Sequence, residues 1–174
     1  MLGADVVAVV TQLGLRRMLL VGHSMGGDVI VEAALRLLGR VTGLVWVDTY
    51  SSLGETETDD RIEEFIAPFR ADFVTCTRDL VTRMFRPGSD PELVEWVATD
   101  MSSAPPEVAL DAIKYAVANE PAAIAGPRYV AVPVVGINPD YRPPDQKATR
   151  RLVRDSSVQS TSGGRRAGMA SWYP

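Results

Sequence analysis

The chain has 174 residues, 46% of them hydrophobic and 23% charged, and a formal net charge of −4. This is the composition of a globular protein and excludes collagen, coiled coil and wholesale disorder. The acidic balance argues against a nucleic-acid partner, which calls for a basic face. One cysteine, Cys76, excludes a disulfide within the chain, and one histidine, His23, leaves few nitrogen ligands for zinc.

Val6, Val9, Val10 and Leu13 recur at i, i+3, i+4 and i+7, predicting an amphipathic helix stopped by Gly14. Met18–Val21 is a short apolar run that reads as a buried strand, followed by a glycine-rich turn over Gly22–Gly27. Val29, Ile30, Ala33, Ala34, Leu37 and Leu38 then predict a helix with a broad apolar face, ended by Gly39. Val41–Val47 is nearly all apolar and suits a strand covered on both faces of a parallel sheet. Helix, strand, helix, strand is the alternation of an α/β fold.

The middle of the chain changes texture. Asp59 or Asp60 is expected to cap a helix carrying Ile62, Phe65, Ile66 and Phe69, and a second helix carries Leu80, Val81 and Met84. Asp90-Pro91 places a cap before proline at the first helical position and opens a helix with Leu93, Val94, Val97 and Met101. Pro105-Pro106 opens another, with Leu110, Ile113 and Val117. The aromatic and methionine positions at helical spacing read first as core. No strand is predicted across residues 58–125, which form a helical insertion between two strands.

Strand character returns over Tyr129–Ile137, with Val134–Ile137 as its firm part because Pro133 cannot donate to a ladder. Asn138–Asp145 is a turn-rich loop, and Asp145 is expected to cap a short helix to about Val153. Ser156–Pro174 is rich in Ser, Gly and Arg without apolar period and reads as a disordered tail. The organisation expected is therefore residues 1–57 as core, 58–125 as helical insertion, 126–155 as a return to the core and 156–174 as tail. Met1-Leu2-Gly3-Ala4-Asp5 has no basic leader, and the apolar runs are far too short to span a bilayer. The expectation is a cytoplasmic chain without a membrane partner.

Gly22-His23-Ser24-Met25-Gly26 fits the pattern G-x-S-x-G. The pattern alone is weak, but it needs a strand before it and a helix after it. Both are read here from periodicity without using the motif. A serine on such a turn projects its hydroxyl at the carboxyl end of the strand, and the helix N-terminus behind it favours developing negative charge.

With Leu20-Val21 before this motif, Gly27 after it, the strand ending Val45-Trp46-Val47-Asp48, and Pro133-Val134-Val135-Gly136-Ile137-Asn138-Pro139-Asp140, the chain resembles an α/β-hydrolase. The resemblance runs from the first helix to about Val153. It implies a parallel sheet flanked by helices with a helical cap insertion at residues 58–125. It further implies Ser24 as nucleophile and the Met25 backbone N–H as one oxyanion donor. The acid of such a triad usually follows the strand after the cap, where Asp140 stands; Asp145 and Asp48 are the alternatives. The implied reaction is hydrolysis of a small carboxylic ester, or of a related acyl or C–C bond, through an acyl-enzyme. No cofactor and no metal are implied. A hydroxyl nucleophile argues against the branches that use aspartate here, such as haloalkane dehalogenases.

The chain departs from that family in two ways. No histidine follows His23, although the triad order is Ser, acid, His. The early strands, the loop of the second oxyanion donor and the last strand have no counterpart, so the fold implied is partial. Without an imidazole a serine hydroxyl is a poor nucleophile, so the activity of this chain is expected to be impaired. The competing reading is a non-catalytic fragment, or a binding or assembly protein that retains elbow and cap. His23, next to Ser24 on a strand, points away from it by strand alternation and reads as a packing or hydrogen-bonding residue. Asp140, in Asn-Pro-Asp, also reads as a turn former. A sheet short of one neighbour leaves an apolar edge, so self-association through that edge is expected.

Overall fold

The computed structural model describes residues 2–49, 58–118, 126–138 and 156–158. The described elements fall into two compact units. One holds helices α1 (Leu2–Gln12) and α2 (Gly26–Arg36) and strands β1 (Met18–His23), β2 (Val41–Val47), β3 (Val134–Ile137) and β4 (Ser156–Val158). The other holds α3 (Asp59–Ala71), α4 (Phe73–Met84), α5 (Pro91–Ser102) and α6 (Pro106–Ala118).

The sheet has the order β1-β2-β3-β4, and every pairing is parallel. Leu20 lies opposite Leu44, and Leu44 opposite Val134, so apolar residues line up across three strands. Parallel neighbours need a crossover; α2 supplies it between β1 and β2. The buried face of α2 (Ile30, Val31, Ala33, Ala34), with Leu37 just past its end, packs with Val10 of α1, with Val41, Leu44 and Trp46 of β2, and with Val130 and Val134. Full burial of side chains such as Leu44 stabilises by roughly 1.5–3 kcal/mol each. This core fixes the carboxyl ends of β1 and β2 against the N-terminus of α2.

Among the described residues β1 ends the sheet and is paired on one side only. Its outward residues Leu19 and Val21 are 56% and 61% exposed. Val9 and Leu13, predicted to face a core from α1, are exposed as well; among its apolar side chains only Val10 is buried.

One boundary is corrected. Residues 156–174 read as tail, yet Ser156–Val158 pair in parallel with Val134–Gly136 as β4. A ladder needs backbone donors and acceptors rather than an apolar period, so this addition left no hydrophobic signature in Ser156-Ser157-Val158. The expected helix to Val153 and residues 159–174 lie outside the described residues.

In the helical unit the true cap of α3 is Thr58, whose hydroxyl accepts from the Arg61 N–H at 3.4 Å, and not Asp59 or Asp60. The two carboxylates instead occupy the first turn, where they favour the positive helix end. Asp72 caps α4, and Asp90 caps α5 with Pro91 behind it. Val81, Met84 and Ala98 form a core between α4 and α5 with Leu80, Phe85, Val97 and Met101 against it. Ile62, Ile66 and Phe69 are the buried face of α3, whereas Trp96 of α5 is 67% exposed. Glu63 of α3 pairs with Arg70 at 2.6 Å and with Lys114 of α6, and Arg78 of α4 pairs with Glu95 of α5 at 2.6 Å.

Candidate active site

β1 runs into a sharp turn at Ser24, whose φ is +50°. A non-glycine residue in the left-handed region is uncommon and costs free energy of order 1–3 kcal/mol, so the surroundings must over-determine it. They do so from both sides of the residue. The Ser24 N–H donates to the Val47 carbonyl at 3.0 Å, continuing the β1–β2 ladder one residue past the strand. The Ser24 carbonyl accepts from the Gly27 N–H at 2.9 Å and from the Thr49 hydroxyl at 2.7 Å.

Strand and helix come close enough here to exclude a side chain at two positions. A Cβ on Gly22 would lie 2.2 Å from the Gly26 carbonyl oxygen, and a Cβ on Gly27 2.4 Å from the Thr49 methyl carbon. Gly26, the second glycine of the motif, has open space at that position. The steric demand therefore sits on Gly22 and Gly27.

Met25 precedes α2 in helical conformation, with no side-chain cap. The first N–H groups of a helix lack partners within it. Here the Gly27 and Asp28 N–H groups are taken by the carbonyls of Ser24 and Met25. Met25 stands at the N-terminal end of α2, where backbone donors and the helix dipole favour negative charge.

The end of β2 carries a second left-handed residue, Asp48, with φ +47°. Its N–H donates to the Ile137 carbonyl of β3 at 2.9 Å. Next to it, the Thr49 carbonyl accepts from the side-chain amide of Asn138 at 3.3 Å. Thr49 and Asn138 are 9% and 3% exposed. The ends of β1, β2 and β3 are thus tied together through Ser24, Thr49 and Asn138.

The structure brings Ser24, Met25 and Asp48 to the carboxyl ends of adjacent strands. His23 closes β1 on its exposed side, in line with Leu19 and Val21. Asp140 and Asp145 lie outside the described residues. Cys76 is a free, half-buried thiol on α4, in the helical unit. Among the described residues no three His, Cys, Asp or Glu side chains come together in a way that could hold a metal ion, and no helix is long and apolar enough to cross a membrane. Thr49 and Asn138 had no signal in the sequence. Their partners lie 25 and 89 residues away, and an ordinary Thr or Asn carries no local pattern for such contacts.

No protein-family model and no curated protein matches the chain. Its fold, however, superposes on solved structures. A hydrolase from Oleispira antarctica matches with TM-score 0.78 and 14% identity, over 91% of this chain and 61% of that one. An esterase from Exiguobacterium antarcticum matches with TM-score 0.75 and 17% identity, over 91% and 63%. A bromoperoxidase from Bacillus anthracis matches with TM-score 0.74 and 20% identity, again over 91% and 63%. At these identities the likeness is one of fold. The chain has the α/β-hydrolase fold, and a partial one: it spans about three-fifths of the length of these structures.

Proposed function

We propose that the chain is part of a serine hydrolase acting on small carboxylic esters. The left-handed Ser24 between β1 and α2 is the observation that carries this reading. In this account the Ser24 Oγ attacks the ester carbonyl carbon while the Met25 N–H donates to the oxyanion. The alcohol leaves with a proton, and water then releases the carboxylic acid and restores the hydroxyl. Asp140 is the acid that would orient the base, with Asp145 and Asp48 as alternatives. The esterase and the enol-lactonase from Burkholderia xenovorans among the matched structures agree with an acyl-transfer chemistry. The role left unfilled is that of the base. Within these 174 residues the only imidazole is His23, so turnover by this chain is slow. Covalent trapping tests the reading. A fluorophosphonate should add slowly and once, at Ser24 by peptide mass mapping; an adduct at another residue in preference to Ser24 counts against it.

A second reading concerns assembly, and the one-sided pairing of β1 favours it. Met18–His23 carries no Lys or Pro, the residues that commonly blunt an edge. With Leu19 and Val21 exposed beside it, the strand is a template for another β1, and a second copy is the occupant requiring nothing beyond this chain. Sedimentation across a concentration series should show a dimer that Val21→Lys abolishes. A strictly monomeric wild type counts against it.

A further inference from the structure

We propose that Thr49 is a positioning residue for the nucleophile. Its hydroxyl locks the Ser24 backbone in the left-handed conformation, and its own carbonyl is held by the Asn138 amide. The inference deepens the reading of Ser24 as nucleophile and rests on it for its catalytic meaning.

A left-handed serine relaxes toward negative φ unless both of its peptide groups are held. Its N–H is held by β2, at Val47. Its carbonyl is held by Gly27 of α2 and by Thr49. The Gly27 bond turns with the helix and does not by itself define where the helix sits on the sheet. The Thr49 bond does, because Thr49 stands two residues past β2 and is held there through Asp48 and Asn138. At 2.7 Å and largely out of solvent, it is the shortest bond to the turn. The threonine methyl carbon also fills the space that a side chain at residue 27 would need.

Thr49 in turn has to be placed. Its neighbour Asp48 is itself left-handed and bound to the end of β3. The buried Asn138 amide, one residue beyond β3, takes the Thr49 carbonyl. Ser24 is thereby referred to two strands rather than one. Asn138 stands two residues before Asp140, so the segment that carries the proposed acid starts from the same clamp.

Two substitutions separate a clamp from plain packing. Thr49→Val keeps the shape and removes the donor. Thr49→Ser keeps the donor and removes the methyl. Native-state amide hydrogen exchange at Ser24 reads the turn directly, with the Leu44 amide, bonded to the Pro133 carbonyl inside the sheet, as reference. The clamp predicts exchange at Ser24 about tenfold faster in Thr49→Val, with Leu44 unchanged and Thr49→Ser close to wild type. Asn138→Ala should move Ser24 the same way by less, and it decides the matter if Thr49→Val does not fold. Unchanged exchange at Ser24, or a larger effect of Thr49→Ser than of Thr49→Val, overturns the proposal. Ester hydrolysis is measured on the same proteins. Faster Ser24 exchange without any Ser24-dependent hydrolysis in the wild type would leave the clamp standing and remove the nucleophile reading.

Discussion

The two glycines of the G-x-S-x-G motif should respond to alanine in opposite senses. At Gly22 the added Cβ would lie 2.2 Å from the carbonyl oxygen of Gly26, 2.4 Å from its carbonyl carbon and 2.8 Å from the Gly27 nitrogen. Optimal separations are roughly 3.5–4.0 Å, so the overlap exceeds about 1 Å at the two Gly26 atoms, and all three atoms are backbone. No rotamer change relieves it; the first turn of α2 must lift away from β1. Overpacking of this kind costs about 1–3 kcal/mol and occasionally more, and a clash with backbone belongs at the upper end. For a chain of this length each kcal/mol moves Tm by about 2–4 °C, so Gly22→Ala should lower Tm by about 6–12 °C. Gly26 has no atom within 4 Å of the added Cβ and is the first residue of α2. Replacing a helical glycine by alanine gains about 0.5–1 kcal/mol, so Gly26→Ala should leave Tm unchanged or raise it slightly. Scanning calorimetry of the two variants beside wild type is sufficient. Equal shifts, or a Gly22→Ala protein as stable as wild type, would refute the argument that strand–helix contact at the elbow imposes this glycine.

The Thr77 hydroxyl in α4 is buried and has no hydrogen-bond partner among the described residues. Thr77→Val should therefore be neutral or stabilising by about 1 kcal/mol, and a clear loss in urea unfolding would show that the hydroxyl has a partner. Glu63, held by Arg70 and then by Lys114, has its carboxyl lowered from 4.5 to about 2. A depressed carboxyl stabilises the folded state above its unfolded value, and that contribution is lost as pH falls from about 4.5 through about 2. Carboxyl carbon NMR should show Glu63 still ionised at pH 3.5, and a midpoint near 4.5 would contradict the ion pairs. Because the group is exposed, Glu63→Gln should scarcely change stability at pH 7.

The elements were legible wherever a periodic apolar face met a clear stop. Val41–Val47, Asp90-Pro91 and Pro105-Pro106 all mark elements of the structure. The tight turn between β1 and α2 was legible because steric demand confines it to small residues, and two of its glycines do face backbone or Thr49 within 3 Å. Thr58 was overlooked as a cap because Asp59 and Asp60 are equally good caps by type; only the Thr58–Arg61 bond separates them. β4 escaped because strand addition to β3 uses backbone groups, which every residue carries. The exposure of Val9 and Leu13 shows the limit of periodicity. A heptad-like pattern identifies a helix and its apolar stripe, but not whether this chain supplies the surface that covers it.

The account stands most directly on Ser24, and the measurement that tests it is hydrolysis of an activated short-chain aryl ester by the 174-residue chain beside Ser24→Ala. The account predicts slow hydrolysis that falls to the buffer rate in the variant. Equal rates for the two proteins would mean that the elbow takes no part in the chemistry.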